Sequence, residues 1–329
     1  MTALKVQSRL FDRLPDGMLV INKPTGMVSR DIIRWLEKRQ VVKQKTGHVG
    51  TLDPIAEGVL PILIGRGTKL QDYLVNLEKS YLFDVKFGVK TDTLDSDGNV
   101  VGHGPVDHLT GEAIEKVVAS MIGRLTQVPP LYSAVKYKGV PLYRYARSGR
   151  SLEVPRESLA KTVEIKKFKM LDFRCDVASF SVLCSKGTYV RSLAESISEK
   201  LGTCGMVIKL VRAATAGVTL TDSWTLNELE AEPEKLSSRV IPLERLHFSI
   251  PVWQVSSDAV IGKLRLGQQV KVNMESFAQG FSELDNQRGL RSSGGMLVLA
   301  DTNGRSFGIG AAVYHGVDQV QVSMKRRFS

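Results

Sequence analysis

Two short stretches carry side chains whose types and spacing suit chemistry. Asp53 lies in residues 47–61, GHVGTLDPIAEGVLP, where Gly47, Gly50 and Gly58 permit sharp bends and Pro54 disfavours the helical region for Asp53. A carboxylate presented on such a loop suits a nucleophile or a general base. The spacing equally fits a turn whose Asp bonds only to neighbouring backbone. The second stretch, Lys186-Gly187-Thr188-Tyr189-Val190-Arg191, falls at an expected strand-to-helix junction. Arg191 offers a permanent charge and a two-pronged fork to a carboxylate, and Tyr189 a ring to stack on a base or a hydroxyl to shuttle a proton. A solvated Arg191 is the alternative, although the positive end of a helix disfavours arginine.

Other chemistries lack their residues. No GxxxxGK[ST] or GxGxxG phosphate loop occurs, no GxSxG elbow and no HExxH pair, and the five histidines are scattered. Residues 91–98, TDTLDSDG, have a calcium-loop look. Setting Gly98 at the loop glycine, however, places Gly104 where a bidentate Glu is required, so a hairpin turn at Asp97-Gly98 is expected instead. Cys175, Cys184 and Cys204 form no CxxC pair and read as reduced thiols. No metal or cofactor is expected. A net charge of +11 points to a polyanionic partner, most simply nucleic acid.

The elements that must position these side chains follow from periodicity. Residues 18–22 read as a strand, and Ser29 as the cap of a helix reaching Lys38. Thr68 is expected to cap a second helix, with Leu70, Tyr73, Leu74 and Leu77 on one stripe. Tyr81, Phe83, Val85, Phe87 and Val89 alternate as a half-buried strand. Helices are expected over 110–121, 142–148 and 190–200, and strands over 163–168, 177–184 and 206–211. Without strict βαβ alternation, this order predicts an α+β domain on a largely antiparallel sheet. From about residue 250 the texture becomes short β segments, at 259–266, 296–300, 307–313 and 320–324, with a hairpin at Asn303-Gly304 and a loop-rich insertion at 274–295. The 329 residues are therefore expected to divide into domains at 1–249 and 250–329. No apolar run spans a membrane and no secretory signal region opens the chain, so a cytoplasmic protein without membrane association is expected.

Many stretches, in order, resemble the TruB family of tRNA pseudouridine synthases, which isomerise uridine 55 in the T-loop of tRNA. They are VINKPTGMVS at 20–29, the 47–61 loop, 68–74, Lys79-Ser80-Tyr81, GVKTDTLDSDG at 88–98 and QVPPLYSAVKYK at 127–138. Residues 143–149, Val154-Pro155-Arg156 and CSKGTYVR at 184–191 complete the set. The resemblance implies the pseudouridine synthase fold, an α+β arrangement with a mixed, largely antiparallel sheet, followed by a small β-rich PUA-like domain. It implies a cofactor-independent isomerase acting on the T-arm of tRNA without a protein partner. It places Asp53 at the catalytic position, Tyr81 against the flipped uracil, Tyr189 in the pocket and Arg191 beside the aspartate. His48 matches a residue that meets the T-loop, Leu210 an apolar pocket wall, and Lys23 a residue lining the site. After Leu210-Val211-Arg212 the chain departs from the family's usual basic or Ser/Gly-containing run. A synthase guided by a small RNA, or a non-catalytic RNA-binding module on the same fold, are the competing readings.

Overall fold

The computed structural model describes residues 14–39, 41–148, 155–248, 251–280, 295–315 and 318–328. Residues 149–154, of which Gly149 and Val154 belong to the family resemblance, and 281–294, most of the expected insertion, lie outside them. Alternating apolar residues build the principal sheet, which has ten strands among the described residues. Its path runs Ile241–Pro242, Gly17–Lys23, Ala56–Ile64, Gly205–Thr215, Lys79–Phe87, Val177–Cys184, Lys161–Arg174 and Gly123–Gln127. Along that path every pairing is antiparallel except Gly205–Thr215 with Ala56–Ile64. The sheet is thus mixed and largely antiparallel. Phe83, Phe87, Ala178, Phe180 and Val182 face Ile114, Val118, Leu193 and Ile197 of the helices Gly111–Ser120 and Val190–Lys200 in one core. Burying each such Phe or Leu contributes about 1.5–3 kcal/mol.

The described C-terminal residues form a five-stranded sheet in the order Val252–Gln254, Gly295–Ala300, Ser306–His315, Gln319–Arg327 and Val270–Asn273, with the expected hairpin around Asn303-Gly304. Val298, Ile309 and Phe328 of this unit share a hydrophobic cluster with Met18, Val20, Val59 and Leu63 of the principal sheet. Among the described residues no helix is long and apolar enough to cross a membrane.

Several local expectations are corrected. Ser29 is the first residue of its helix, not the cap; Val28 occupies the cap, and Asp31 accepts from its N–H. The Ser29 hydroxyl instead serves a distant loop, described below. Thr68 lies inside a 3-10 turn, Gly65–Leu70, and donates back to Gly65 O at 2.8 Å, so the following helix is a single turn, Gln71–Leu74. Gly88, at φ 83°, ends the Tyr81 strand, and Val89 opens the next one. The hairpin after it closes through residues 92–99, not through a two-residue turn at Asp97-Gly98. Residues 259–266 are helical: Asp258–Arg265 turns Ile261 and Leu264, three apart, onto one buried face. Within 274–295, Met274–Gln279 is a helix capped by the Asn273 side chain.

Candidate active site

The Asp53 loop leaves the strand Thr46–His48 and returns into Ala56–Ile64, and four remote groups fix it. Leu52 N–H donates to Ser29 Oγ at 2.8 Å, and Ser29 Oγ–H returns to Leu52 O at 3.3 Å. Thr25 Oγ1 donates to Ile55 O, and Gly26 N–H to Pro54 O. From below, the guanidinium of Arg212 donates to Gly50 O at 3.1 Å and Thr51 O at 3.4 Å, and its Nε to Val59 O at 2.7 Å. The Lys-Pro-Thr-Gly turn at 23–26 and the start of the first helix are therefore a scaffold for the carboxylate. Gly50 takes φ 77°, a left-handed conformation that a Cβ would strain.

Arg191 enters on the first turn of the helix Val190–Lys200. The N-cap before it, Tyr189, is clamped by Gln127, whose amide accepts from Tyr189 N at 3.0 Å and donates to Tyr189 O at 3.1 Å. Arg191 Nη2 stands 2.8 Å from Asp53 Oδ2, with the arginine side chain 4% exposed and the aspartate 34%. The carboxylate is therefore open to a ligand while its partner is not. Nη1 stands 3.4 Å from Asp95 Oδ2, and the fork also donates to Thr93 O and Tyr132 O at 2.8 and 2.9 Å. Arg191 Nε is buried without a hydrogen-bond partner. Four acceptors thus hold one guanidinium in a single orientation toward Asp53. Burial pushes the Asp95 carboxyl up, opposed by the Thr93 hydroxyl and Arg191. Asp95 also organises its own loop, accepting from Thr93 Oγ1 and Asp97 N.

Asp53, Tyr81, Tyr189, Arg191 and Leu210 line one cavity of about 490 Å³. Register explains part of this convergence: Tyr81 pairs with Arg212, Arg212 with Gly58, and Gly58 with Lys23, one row across four strands. Burial raises both tyrosine phenols, Tyr81 with Arg212 in opposition, so both are neutral near pH 7. Lys23 lies outside the lining and is fully buried; its ammonium donates to Pro24 O and Met27 O, and burial lowers it to about 8 with Asp53 opposing. His48 also lies outside the lining, on the strand leading into the loop, with Nδ1 buried and unpartnered. Burial lowers its imidazole, Arg212 adding to the effect.

Sequence reasoning missed Asp95, Lys79 and Arg212. Asp95 was visible as one acidic residue of the discarded calcium loop and of the 88–98 stretch, with no role attached to it. Lys79 shares the parity of Tyr81, Phe83 and Phe87, so the same alternation, extended two residues back, places it inward. Among the described residues no three metal-ligating side chains converge.

Comparison with known proteins gives the family and the fold. Residues 38–190 match the family described as TruB family pseudouridylate synthase (N terminal domain). The chain is 41% identical over 261 residues to tRNA pseudouridine synthase B of Bacillus subtilis (strain 168), covering 77% of this chain and 82% of that protein. It is 40% identical over 260 residues to the protein of the same name from Chromobacterium violaceum, covering 78% and 82%. Among solved structures, a chain of a Cbf5-Nop10-Gar1 complex superposes with a TM-score of 0.69 at 19% identity, over 96% of this chain and 85% of that one. A chain of the archaeal box H/ACA sRNP Nop10-Cbf5 complex gives 0.66 at 17%, over 96% and 87%. These structural likenesses establish the fold: a pseudouridine synthase sheet followed by a PUA-like, curled β unit. With relatives this similar along most of their length, the chain belongs to the TruB family of pseudouridylate synthases.

Proposed function

We propose that this protein converts uridine 55 in the T-loop of tRNA to pseudouridine, with Asp53 as the catalytic residue and no cofactor. The observation that carries the reading is the accessible Asp53 carboxylate, 2.8 Å from a buried Arg191, on a cavity walled by Tyr81, Tyr189 and Leu210. The tRNA substrate rests on the resemblance of the 18–212 stretches and on relatives that are named tRNA pseudouridine synthase B. Net charge of +11 suits a polyanionic substrate.

Isomerisation breaks the N1–C1′ bond, turns the uracil and joins its C5 to C1′; no net oxidation occurs. The target base must leave its stack, at a cost of about a few kcal/mol, and Tyr81 gives it a new face to stack on. Asp53 then either attacks the ribose or removes the C2′ proton to leave a glycal. Arg191 keeps the carboxylate aimed through either route. The C5 proton finally leaves to Tyr189 or a water. Leu210 closes the apolar side of the cavity, while His48 and Lys23 support the loop region from outside it. Residues 250–329 form the second domain, extending the contact with RNA, and no protein partner is required.

The test is tritium release from 5-tritiated uridine in a tRNA transcript. Asp53→Asn is expected to abolish release while tRNA binding persists, and turnover retained by that variant would sink the assignment.

A further inference from the structure

Two cations line the floor of the same cavity without a counter-ion. Lys79 is 7% exposed and Arg212 fully buried, and both line the cavity beside Asp53 and Tyr81. A methyl group placed on Gly50 would come within 3.3 Å of Arg212 Nη1 and 3.7 Å of Lys79 Cε, so the two charges share one small volume. Lys79 Nζ donates to Val75 O at 2.9 Å and Leu77 O at 2.5 Å, and Arg212 donates to three backbone carbonyls. Among the described residues, neither has a carboxylate within ion-pair distance. The nearby Cys184 thiol, pushed up to about 11 by burial, supplies no anion near pH 7.

Burying like charges together without an anion is costly, and hydrophobic residues would serve stability better. A polar group so placed calls for a reason, and the reaction supplies one. When N1–C1′ breaks, its electron pair stays on N1, and the charge spreads over O2 and O4 of the uracil.

We propose that Lys79 and Arg212 form a cationic floor that stabilises the detached uracil as its anion, a role that rests on the isomerase reading above. The charge balance closes without any added reagent. Asp53 either bonds C1′ or takes the C2′ proton. Uracil C5 then forms the new bond to C1′, and Asp53 leaves or returns its proton to C2′. The C5 proton departs to Tyr189 or a water, and N1 takes up a proton in its place, so the product is neutral. Through the interval the floor neutralises charge that water would otherwise have to solvate. The phosphodiester backbone is not the missing counter-ion. The exposed Lys161 and Lys186, which also line the cavity, are the cations open to a phosphodiester, whereas Lys79 and Arg212 are buried.

The experiment varies the acidity of the leaving base. Single-turnover rates are measured on tRNA carrying uridine or 5-fluorouridine at the target; fluorine makes the departing uracil a stronger acid whose anion needs less help. Uridine turnover is read by tritium release, and 5-fluorouridine by its loss from a nuclease digest. Lys79→Met is expected to slow uridine by about tenfold or more but 5-fluorouridine by about threefold or less, with tRNA affinity within about threefold of wild type. Lys79→Arg keeps the charge and should stay closer to wild type on uridine than Lys79→Met does. Equal losses on the two substrates, a loss confined to affinity, no loss at all, or Lys79→Arg as impaired as Lys79→Met would each overturn the proposal. Lys79→Gln is the second neutral variant; if neither it nor Lys79→Met folds, Lys79 is a residue of the fold and the proposal is overturned. Failure of the isomerase reading is a separate result: wild-type protein would then leave uridine 55 unchanged.

Discussion

The buried ammonium of Lys79 makes a prediction that needs no RNA. Burial and the neighbouring Arg212 lower it from 10.5 to about 8. At about 1.36 kcal/mol per pH unit, that gap disfavours the charged form in the folded protein by about 3 kcal/mol. Because the folded value lies below the unfolded one, the unfolded chain holds more protons between about pH 8 and 10.5, and stability rises with pH across that window. Below about pH 8 both states are protonated and the cost is constant. Near pH 9.5 the folded ammonium has given up its proton and the unfolded one mostly has not, which recovers about 2 kcal/mol. Lys79→Met lacks this titration, while Lys23, held at about 8 for the same reason, remains in both proteins and cancels. Urea unfolding followed by circular dichroism near pH 7 and near pH 9.5 gives the comparison. Wild type should gain about 2 kcal/mol on the variant between the two conditions. A gain below about 0.5 kcal/mol, or one of opposite sign, would show that the Lys79 ammonium is not desolvated.

Arg191→Met removes the partner of Asp53 without touching the cavity rim. Turnover should fall by about a hundredfold or more while tRNA affinity holds within about threefold, and equal losses in filter binding and tritium release would contradict the pairing. Gly58→Ala should destabilise by about 2–4 kcal/mol in chemical denaturation. Gly58 takes φ 103°, and a Cβ there would lie 2.5 Å from Arg212 O and 3.1 Å from Arg212 N, atoms of a strand that cannot withdraw; a cost below about 1 kcal/mol would be inconsistent with this close approach. Purified protein should modify a bare T-arm hairpin without added protein or guide RNA, and dependence on either would refute the stand-alone reading.

Local pattern made much of this fold legible. The alternation through Tyr81, Phe83, Val85 and Phe87 and the stripe on Val190–Lys200 appear where the periods put them. The helix Asp258–Arg265 was hidden because Val260 and Ile261 weigh toward a strand and Gly262 against a helix, and only the Ile261–Leu264 spacing and the preceding Ser257-Asp258 favour one. The site divides similarly. A glycine-rich loop advertises Asp53, but Arg191 is fixed by carbonyls of Thr93 and Tyr132 that lie 98 and 59 residues away, beyond any local pattern. Lys79 and Arg212 were harder still: composition says that Lys and Arg stay outside, and here the strand parity prevails over that preference.

The hydrophobic cluster joining Met18, Val20, Val59 and Leu63 to Val298, Ile309 and Phe328 has a practical meaning for anyone dividing this chain. A fragment cut before Val252 would carry the whole catalytic cavity yet leave bare the underside of the strands on which the Asp53 loop is mounted. Such a piece would be prone to self-association, and its activity would measure the loss of that apolar seal as much as the loss of RNA contact. Point substitutions on the solvent face of the C-terminal sheet, not deletion, are the clean way to ask what that sheet does for RNA.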